Sequence, residues 1–600
     1  MHGSCAARTG TRKGPVPPMP PHADTVTAQT PVALTHEPAL VMGPPAETGV
    51  ILIEDWGYTG LCARRSMRLL AERLAAAGYP VLRFDLPGMG ASLRNPEEID
   101  GLEQAATALN EVAEALSAAR ACNRFIFAGL GLGALLALDR VARQPQSAAA
   151  LILMAPPVSG RNWLRENQLN AAMIAERTGV STPPVPGIAF HVAGIAMPEG
   201  LAGAIRSRRM TAQDIPASLP VLVMPRPGRT AEEDFASDLA TTHAKATRLD
   251  FTGYDPMVTD PTLSQAPLDD LAGLALWLEQ ALPPETPASA AAPASPAILS
   301  AASFTEETVM LGRYGQMAGT WCKPVNPPEA PGPVVLAFSA GGTPRTGWAH
   351  GMRDMARALA VQGIASLRVD ASDIGDSVAA PEGLYPVHYS APQMQDVTDA
   401  LDWLGARGYP QVIATGACSG AYLALRGAVA DTRIKAAVCV NLQRLLWDRR
   451  EDIADLLHFG HDDAAGYAGK LLDPDKLRKL FSGGVPVLRL LKYMAGRALQ
   501  KAEEKTAPWA MGLTPSSRLQ RQIARDLALV SGRGQTIDLI YSPNDPGLPY
   551  LEQALGPDGA KAASLPGVSV SFLEKADHNL TPPEARAVWL AHLLKAAQPS

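Results

Sequence analysis

The chain is predicted to be an α/β protein of two tandem domains, each a mostly parallel sheet flanked by helices, with a helical cap inserted in the second. Three observations predict this. Two stretches repeat without a gap, ERLAAAGYPVLRFDLPGMGAS at 72–92 and RALAVQGIASLRVDASDIGDS at 357–377. Leu82, Arg83, Asp85, Gly90 and Ser92 thereby fall opposite Leu367, Arg368, Asp370, Gly375 and Ser377, the mark of duplication or fusion of related domains. Between the halves, residues 283–297 read PPETPASAAAPASPA, a composition that cannot bury a core and behaves as a linker. Within each half, short apolar runs alternate with amphipathic stretches at the spacing of βαβ units.

The elements follow in order. Residues 1–40 read as a disordered leader. Arg8, Arg12 and Lys13 are followed by Pro15, Pro17, Pro18, Pro20 and Pro21 rather than by an apolar run, so no signal peptide is read there. The first domain, 41–282, has apolar strands at 50–53, 81–84 and 125–128. The linker spans 283–300. The second domain, 301–600, has the matching strands at 334–338, 365–369 and 412–415, then two late ones at 536–541 and 568–573. The sheet pattern lapses at about 441–530, which reads as the inserted cap. Within it, 487–501 sets Leu488, Leu491 and Leu499 among Arg489, Lys492, Arg497 and Lys501. That pattern suits a solvated surface helix or a docking face for an anionic partner: a carrier domain, a lipid-linked phosphate or a peripheral membrane surface.

Composition narrows the function. At 600 residues, 47% apolar and 19% charged, the chain is globular and too long for one core. A net charge of −6 argues against nucleic acid, whose phosphates need a basic face. The six cysteines, Cys5, Cys62, Cys122, Cys322, Cys418 and Cys439, form no CxxC pair, which excludes a disulfide-dense scaffold and zinc-type spacing. His458 and His461 in HFGHDD read as a solvated helix end rather than a metal site, and no cofactor motif is present. No apolar run reaches eighteen residues, so no transmembrane segment is expected, and free thiols place the chain in the cytoplasm.

The chemistry concentrates at 412–425, VIATGACSGAYLAL. A strand ends, Gly416-Ala417-Cys418-Ser419-Gly420 follows, and a helix begins. This is the G-x-nucleophile-x-G turn in its strand–turn–helix setting, with cysteine where serine is usual. Glycines flank the nucleophile because side chains there would crowd sheet and helix, and the helix N-terminus favours a thiolate.

With GACSGAYLAL, LRVDASDIGDS, YSPNDPGLPYL and EKADHNLTPPEAR, residues 304–598 resemble the α/β-hydrolase superfamily. The resemblance is to cysteine-elbow enzymes of the dienelactone hydrolase type, and more narrowly to hydrolases encoded among bacterial exopolysaccharide genes, including exosortase-associated ones. The first half resembles the superfamily more loosely. The superfamily order of nucleophile, acid and histidine implies Cys418, Asp545 after the strand 536–541, and His578 after the last strand. Asp577 is the competing acid. The resemblance also implies an oxyanion hole from the backbone N–H of Ser419 and one from the loop Ser339-Ala340-Gly341-Gly342-Thr343, with Ala340 and Gly341 as its candidates. His388 receives no role.

In the first half the elbow reads FIFAGLGLGALLAL, with Gly131 at the nucleophile position. Gly228 and Asp255 stand where the acid and histidine belong. No nucleophilic catalysis is expected there. The first domain therefore reads as a degenerate copy serving as a stabilising, substrate-binding or partner-binding module, whose removal leaves Cys418 chemistry intact on a small activated ester. For the second domain, the first reading is acyl transfer through a thioester: an esterase, thioesterase or acyltransferase acting on an acyl ester or thioester, small, carrier-bound or lipid-linked. A lactone or C–C bond hydrolase is the second reading. A binding or scaffold protein with a relic cysteine is the third.

Overall fold

The computed structural model describes residues 28–285, 296–329, 332–381, 387–453, 503 and 512–598. The helix expected at 487–501 and the histidines 458 and 461 lie outside them.

The first domain's strands are β1 Thr30–Ala33, β2 Pro38–Met42, β3 Thr48–Ile53, β4 Val81–Phe84, β5 Arg124–Leu130, β6 Ala148–Met154, β9 Val221–Met224 and β10 Ala246–Arg248, with a separate hairpin of β7 Ile188–Val192 and β8 Ile195–Pro198. Their sheet order is β1-β2-β4-β3-β5-β6-β9-β10. The second domain contributes β11 Ile298–Ser300, β12 Phe304–Leu311, β13 Met317–Pro324, β14 Val334–Phe338, β15 Ser366–Val369, β16 Val412–Ala417, β17 Ile434–Val440, β18 Thr536–Tyr541 and β19 Val568–Phe572. Its order is β11-β12-β13-β15-β14-β16-β17-β18-β19. From β1 and β12 onward the two orders are the same, with antiparallel strands at one edge and parallel strands from β4 and β15 across the rest. The tandem repeat is therefore a repeat of topology.

Both faces of each sheet are covered, which is why strands such as VLVM at Val221–Met224 and VVLAF at Val334–Phe338 are continuous apolar runs. In the second domain, Val335, Ala337, Val438 and Ile540 meet Leu359 and Leu593 from helices Gly351–Val361 and Pro583–Ala596. The alternate residues Leu336, Ala414 and Leu539 share the other core with Leu401, Ala424 and Leu527 from helices Ala391–Gly405, Ser419–Ala430 and Pro515–Gly532.

Three sequence boundaries need correction. The fold begins inside the expected leader, because β1 and part of β2 lie before residue 41. The linker ends earlier, because Ile298–Ser300 is an edge strand paired with β12. The helix Pro515–Gly532, assigned to the cap, is a sheet-flanking element of the second domain, with Ile523, Leu527 and Val530 in its core. The edge strands are short, exposed or interrupted by proline, so the pattern of a buried parallel strand does not mark them.

The domains meet through buried charge. Asp376, fully buried, takes Arg64 Nη2 at 2.7 Å and Arg83 Nη1 at 2.9 Å from the first domain, and Arg345 Nη1 at 2.7 Å from its own. Burial opposes its charge, but the three guanidinium groups outweigh that and hold its carboxyl well below the usual range. Arg65 and Arg68 pair with Asp373, and Arg357 donates to the carbonyls of Ala91 and Ser92.

Candidate active site

The parallel strands end on one side of the second sheet, and the loops leaving them carry the candidate residues. β16 runs into the turn at Cys418, which has φ 53° and ψ −117°. An L-residue rarely adopts this conformation, and such strain clusters at functional turns. A β-carbon on Gly416 would stand 2.5 Å from the Gly420 carbonyl carbon, and one on Gly420 would stand 2.4 Å from the Phe338 oxygen. The turn closes only with glycine at both places.

His578 leaves the loop after β19, and its Nδ1 lies 2.7 Å from Asp545 Oδ2, on the loop after β18. Asp545 is buried and accepts the Gly547 N–H at 2.8 Å on its other oxygen. Burial opposes protonation of His578, but its bonds to Asp545 and to the Cys418 thiol outweigh this and raise it well above its usual value. His578 is thus hydrogen-bonded to Asp545 and lies close enough to Cys418 for the thiol to act on its charge. Asp577 is engaged otherwise, accepting the Thr581 N–H and hydroxyl at 2.7 Å each.

Cys418 differs from its fellow thiols. Cys62, Cys122, Cys322 and Cys439 are buried, whereas Cys418 is partly open. Burial pushes the Cys122 and Cys322 thiols up to about 12.

The oxyanion-loop candidates behave unequally. The Gly341 N–H donates to Ser419 Oγ at 2.8 Å, while the Ala340 carbonyl accepts from Thr343 N–H. The first domain shows what the equivalent amides hold. There the Leu132 and Trp56 N–H groups both donate to Asp55 Oδ1, at 2.7 and 2.9 Å. Asp55 holds both amides in the first domain, and burial pushes its carboxyl up to about 7. Around it, Arg226 pairs with Glu232 and Glu166 and lies over the Tyr254 ring at 4.9 Å. Gly131 does more than relax the turn, since a β-carbon there would stand 2.1 Å from Asp55 Oδ2.

Sequence reasoning missed two groups beside Cys418. Asn441, at the end of β17 with φ 48°, donates to the His578 carbonyl at 2.8 Å and exchanges two hydrogen bonds with Ser542, fastening the histidine loop to the acid loop. An asparagine directly after a buried strand is the local signal for such a turn. Tyr389 stacks on Trp447 with centroids 4.7 Å apart and meets Tyr422 edge-on at 4.8 Å. Burial raises its hydroxyl, and the charge of nearby Cys418 raises it further. Arg444 and Glu451, which also act on Tyr389, line a small open cleft with Leu519 and Tyr550. His388 is buried and lowered to about 4 by burial. Among the described residues no cluster suited to a metal ion occurs, and no helix is long and apolar enough to cross a membrane.

Fold and site together define two α/β-hydrolase domains in one chain. The Hydrolase_4 family, serine aminopeptidase S33, matches residues 59–208, all within the first domain, where Gly131 stands at the elbow. No curated protein matches the sequence. Among solved structures, the chain is similar to Est1E from Butyrivibrio proteoclasticus with ferulic acid bound, at 17% identity over 36% of this chain and 84% of that one, TM-score 0.27. It is similar to the proline iminopeptidase of Mycobacterium smegmatis at 16% identity, over 42% and 98%, TM-score 0.29. The acetyl xylan esterase from Paenibacillus sp. R4 gives 16% identity over 51% and 88%, TM-score 0.29. The match over residues 59–208 and the strand order common to the two sheets give both halves the α/β-hydrolase fold.

Proposed function

We propose that the second domain is a cysteine-dependent acyl-transfer enzyme acting on an ester or thioester. One observation carries this reading: the hydrogen bond from His578 to the buried Asp545 beside a partly open thiol on a strained elbow. His578 takes the Cys418 proton, and Asp545 fixes the tautomer and stabilises the imidazolium. Sγ then adds to the acyl carbonyl, and the oxygen's charge falls to the Ser419 and loop amides. Collapse breaks the bond to the leaving alkoxide or thiolate, which receives the proton from His578. The thioester on Cys418 is released by water or by an acceptor hydroxyl, amine or thiol, again through His578. Tyr389, Tyr422 and Trp447 offer the acyl group an apolar wall. A carrier-bound or lipid-linked substrate remains part of this proposal on the family resemblance alone.

Intact-mass spectrometry with an activated acyl ester tests it. Wild type should gain one acyl group, located at Cys418, and Cys418→Ala none. His578→Ala should acylate at least about 100-fold more slowly, the scale of lost base catalysis. Equal acylation of Cys418→Ala, or an adduct at Ser419, would overturn the assignment.

A further inference from the structure

We infer that the first domain positions the oxyanion loop of the second, so that the copy without a nucleophile is a wall of the Cys418 site. This rests on the acyl-transfer reading above, and it gives the first domain a part in the chemistry that the expectation of dispensability does not.

The first-domain segment 259–262 lies directly on the loop Gly341–Gly342. A β-carbon on Gly342 would stand 1.9 Å from the Pro261 carbonyl oxygen, and one on Gly341 would stand 2.4 Å from Thr262 Oγ1. Gly341 also has φ +51°, but Gly342 is not in the left-handed region, so its missing side chain answers to Pro261. The segment is itself fastened within the first domain. Tyr58 donates to the Thr259 carbonyl at 2.9 Å, Arg177 pairs with Asp260 at 3.1 Å, and Asp260 accepts the Thr262 N–H at 2.9 Å. The Tyr58 ring then meets Trp348, just beyond the loop, edge-on at 5.9 Å.

Two further contacts reach neighbouring parts of the site. At the tip of the β7–β8 hairpin, a β-carbon on Gly194 would stand 2.6 Å from Ala349 Cβ and 3.2 Å from Thr581 Cγ2, and Thr581 holds Asp577 on the His578 loop. Arg345, which ends the oxyanion loop, shares Asp376 with Arg64 and Arg83 of the first domain. A glycine-rich loop is soft, whereas an oxyanion donor works only when held within about 0.5 Å of its productive place. Packing against Pro261 and Thr262 removes that freedom.

The experiment uses the full chain with Thr262→Phe, which overfills the contact, and Thr262→Ser, which keeps the hydroxyl. Two readouts are compared: turnover of p-nitrophenyl acetate, which needs the oxyanion hole, and alkylation of Cys418 by iodoacetamide, which needs the thiolate but no oxyanion hole. Thr262→Phe should lower kcat by about 10-fold or more, a fraction of what loss of a whole donor costs. KM should stay within about threefold and alkylation within about twofold, with Thr262→Ser close to wild type throughout. If Thr262→Phe does not fold, Thr262→Ala is read on the same two assays with a kcat loss of about threefold. Unchanged kcat in a folded variant, or equal loss of alkylation and turnover, would overturn the inference. Absence of any Cys418 adduct in wild type would instead defeat the acyl-transfer reading, and this inference would fall with it.

Discussion

The carboxylate of Asp55 occupies the space that a side chain at Gly131 would need, 2.1 Å from its β-carbon position. The first domain has more than a glycine at its elbow. Two amides that would hold an oxyanion, those of Trp56 and Leu132, hold an internal carboxylate instead. Restoring one residue therefore restores nothing.

Gly131→Ser should give no ester turnover and should lower stability by about 1–3 kcal/mol, through overpacking and a positive φ. Asp55→Ala should recover part of that loss in the double variant. Denaturant unfolding measures both, and a Gly131→Ser protein as stable as wild type would show that the Asp55 carboxylate yields freely.

The strained turn at Cys418 has nearly the dihedrals of Gly131, which sits at φ 55° and ψ −121°. Cys418→Gly and Cys418→Ala should both be inactive, with the glycine variant more stable by about 1 kcal/mol because only it relaxes the turn. Matched urea midpoints would mean that the surrounding structure, not the φ angle, sets the cost.

His578 is raised above its ordinary value, so its sign is fixed. The stability it adds in protonated form is fully present below about pH 6.5 and fades as pH rises through the raised folded value. The melting-temperature advantage of wild type over His578→Gln should therefore be larger at pH 6 than at pH 9. An advantage that grows with pH would mean that neutral His578 is the stabilised form.

Ser419 Oγ holds the Gly341 N–H that the substrate oxygen would need. Exchanging one hydrogen bond of this kind costs about 0.5–1.5 kcal/mol, so Ser419→Ala should speed acylation two- to tenfold. Single-turnover acylation kinetics decide it, and slower acylation would assign the hydroxyl to holding the loop in place.

Asp376→Asn removes one carboxylate from among three buried guanidinium groups. Breaking a buried ion network from one side costs about 3–5 kcal/mol, because the remaining charges lose their partner. Unfolding followed by intrinsic fluorescence and by circular dichroism should show that loss. A change below about 1 kcal/mol, the worth of an exposed pair, would show that water reaches the interface.

Much of the fold and the candidate site is legible in the sequence because the signals are local. A parallel strand covered on both faces must be a continuous apolar run, and Val81–Phe84, Val334–Phe338 and Thr536–Tyr541 begin and end where their residues predict. The elbow is legible because strain and close approach demand glycine at fixed spacing. The edge strands β1 and β11 are not, since little burial acts on short segments beside prolines and a linker. The same holds for Asn441 and Tyr389, whose partners lie more than 25 residues away along the chain.

By itself, then, the sequence determined two α/β units, the cysteine turn and the order of the candidate triad, all matters of periodicity and residue type along one strand or loop. Only the tertiary structure decided which acid meets the histidine, with Asp545 on His578 and Asp577 on Thr581. Only it placed Asp55 on the Trp56 and Leu132 amides and Pro261 against Gly342. The physical reason is range. Backbone strain and hydrophobic period act between neighbours in the chain, whereas the partner of a buried charge or amide is set by which distant loops the two sheets bring to the same side.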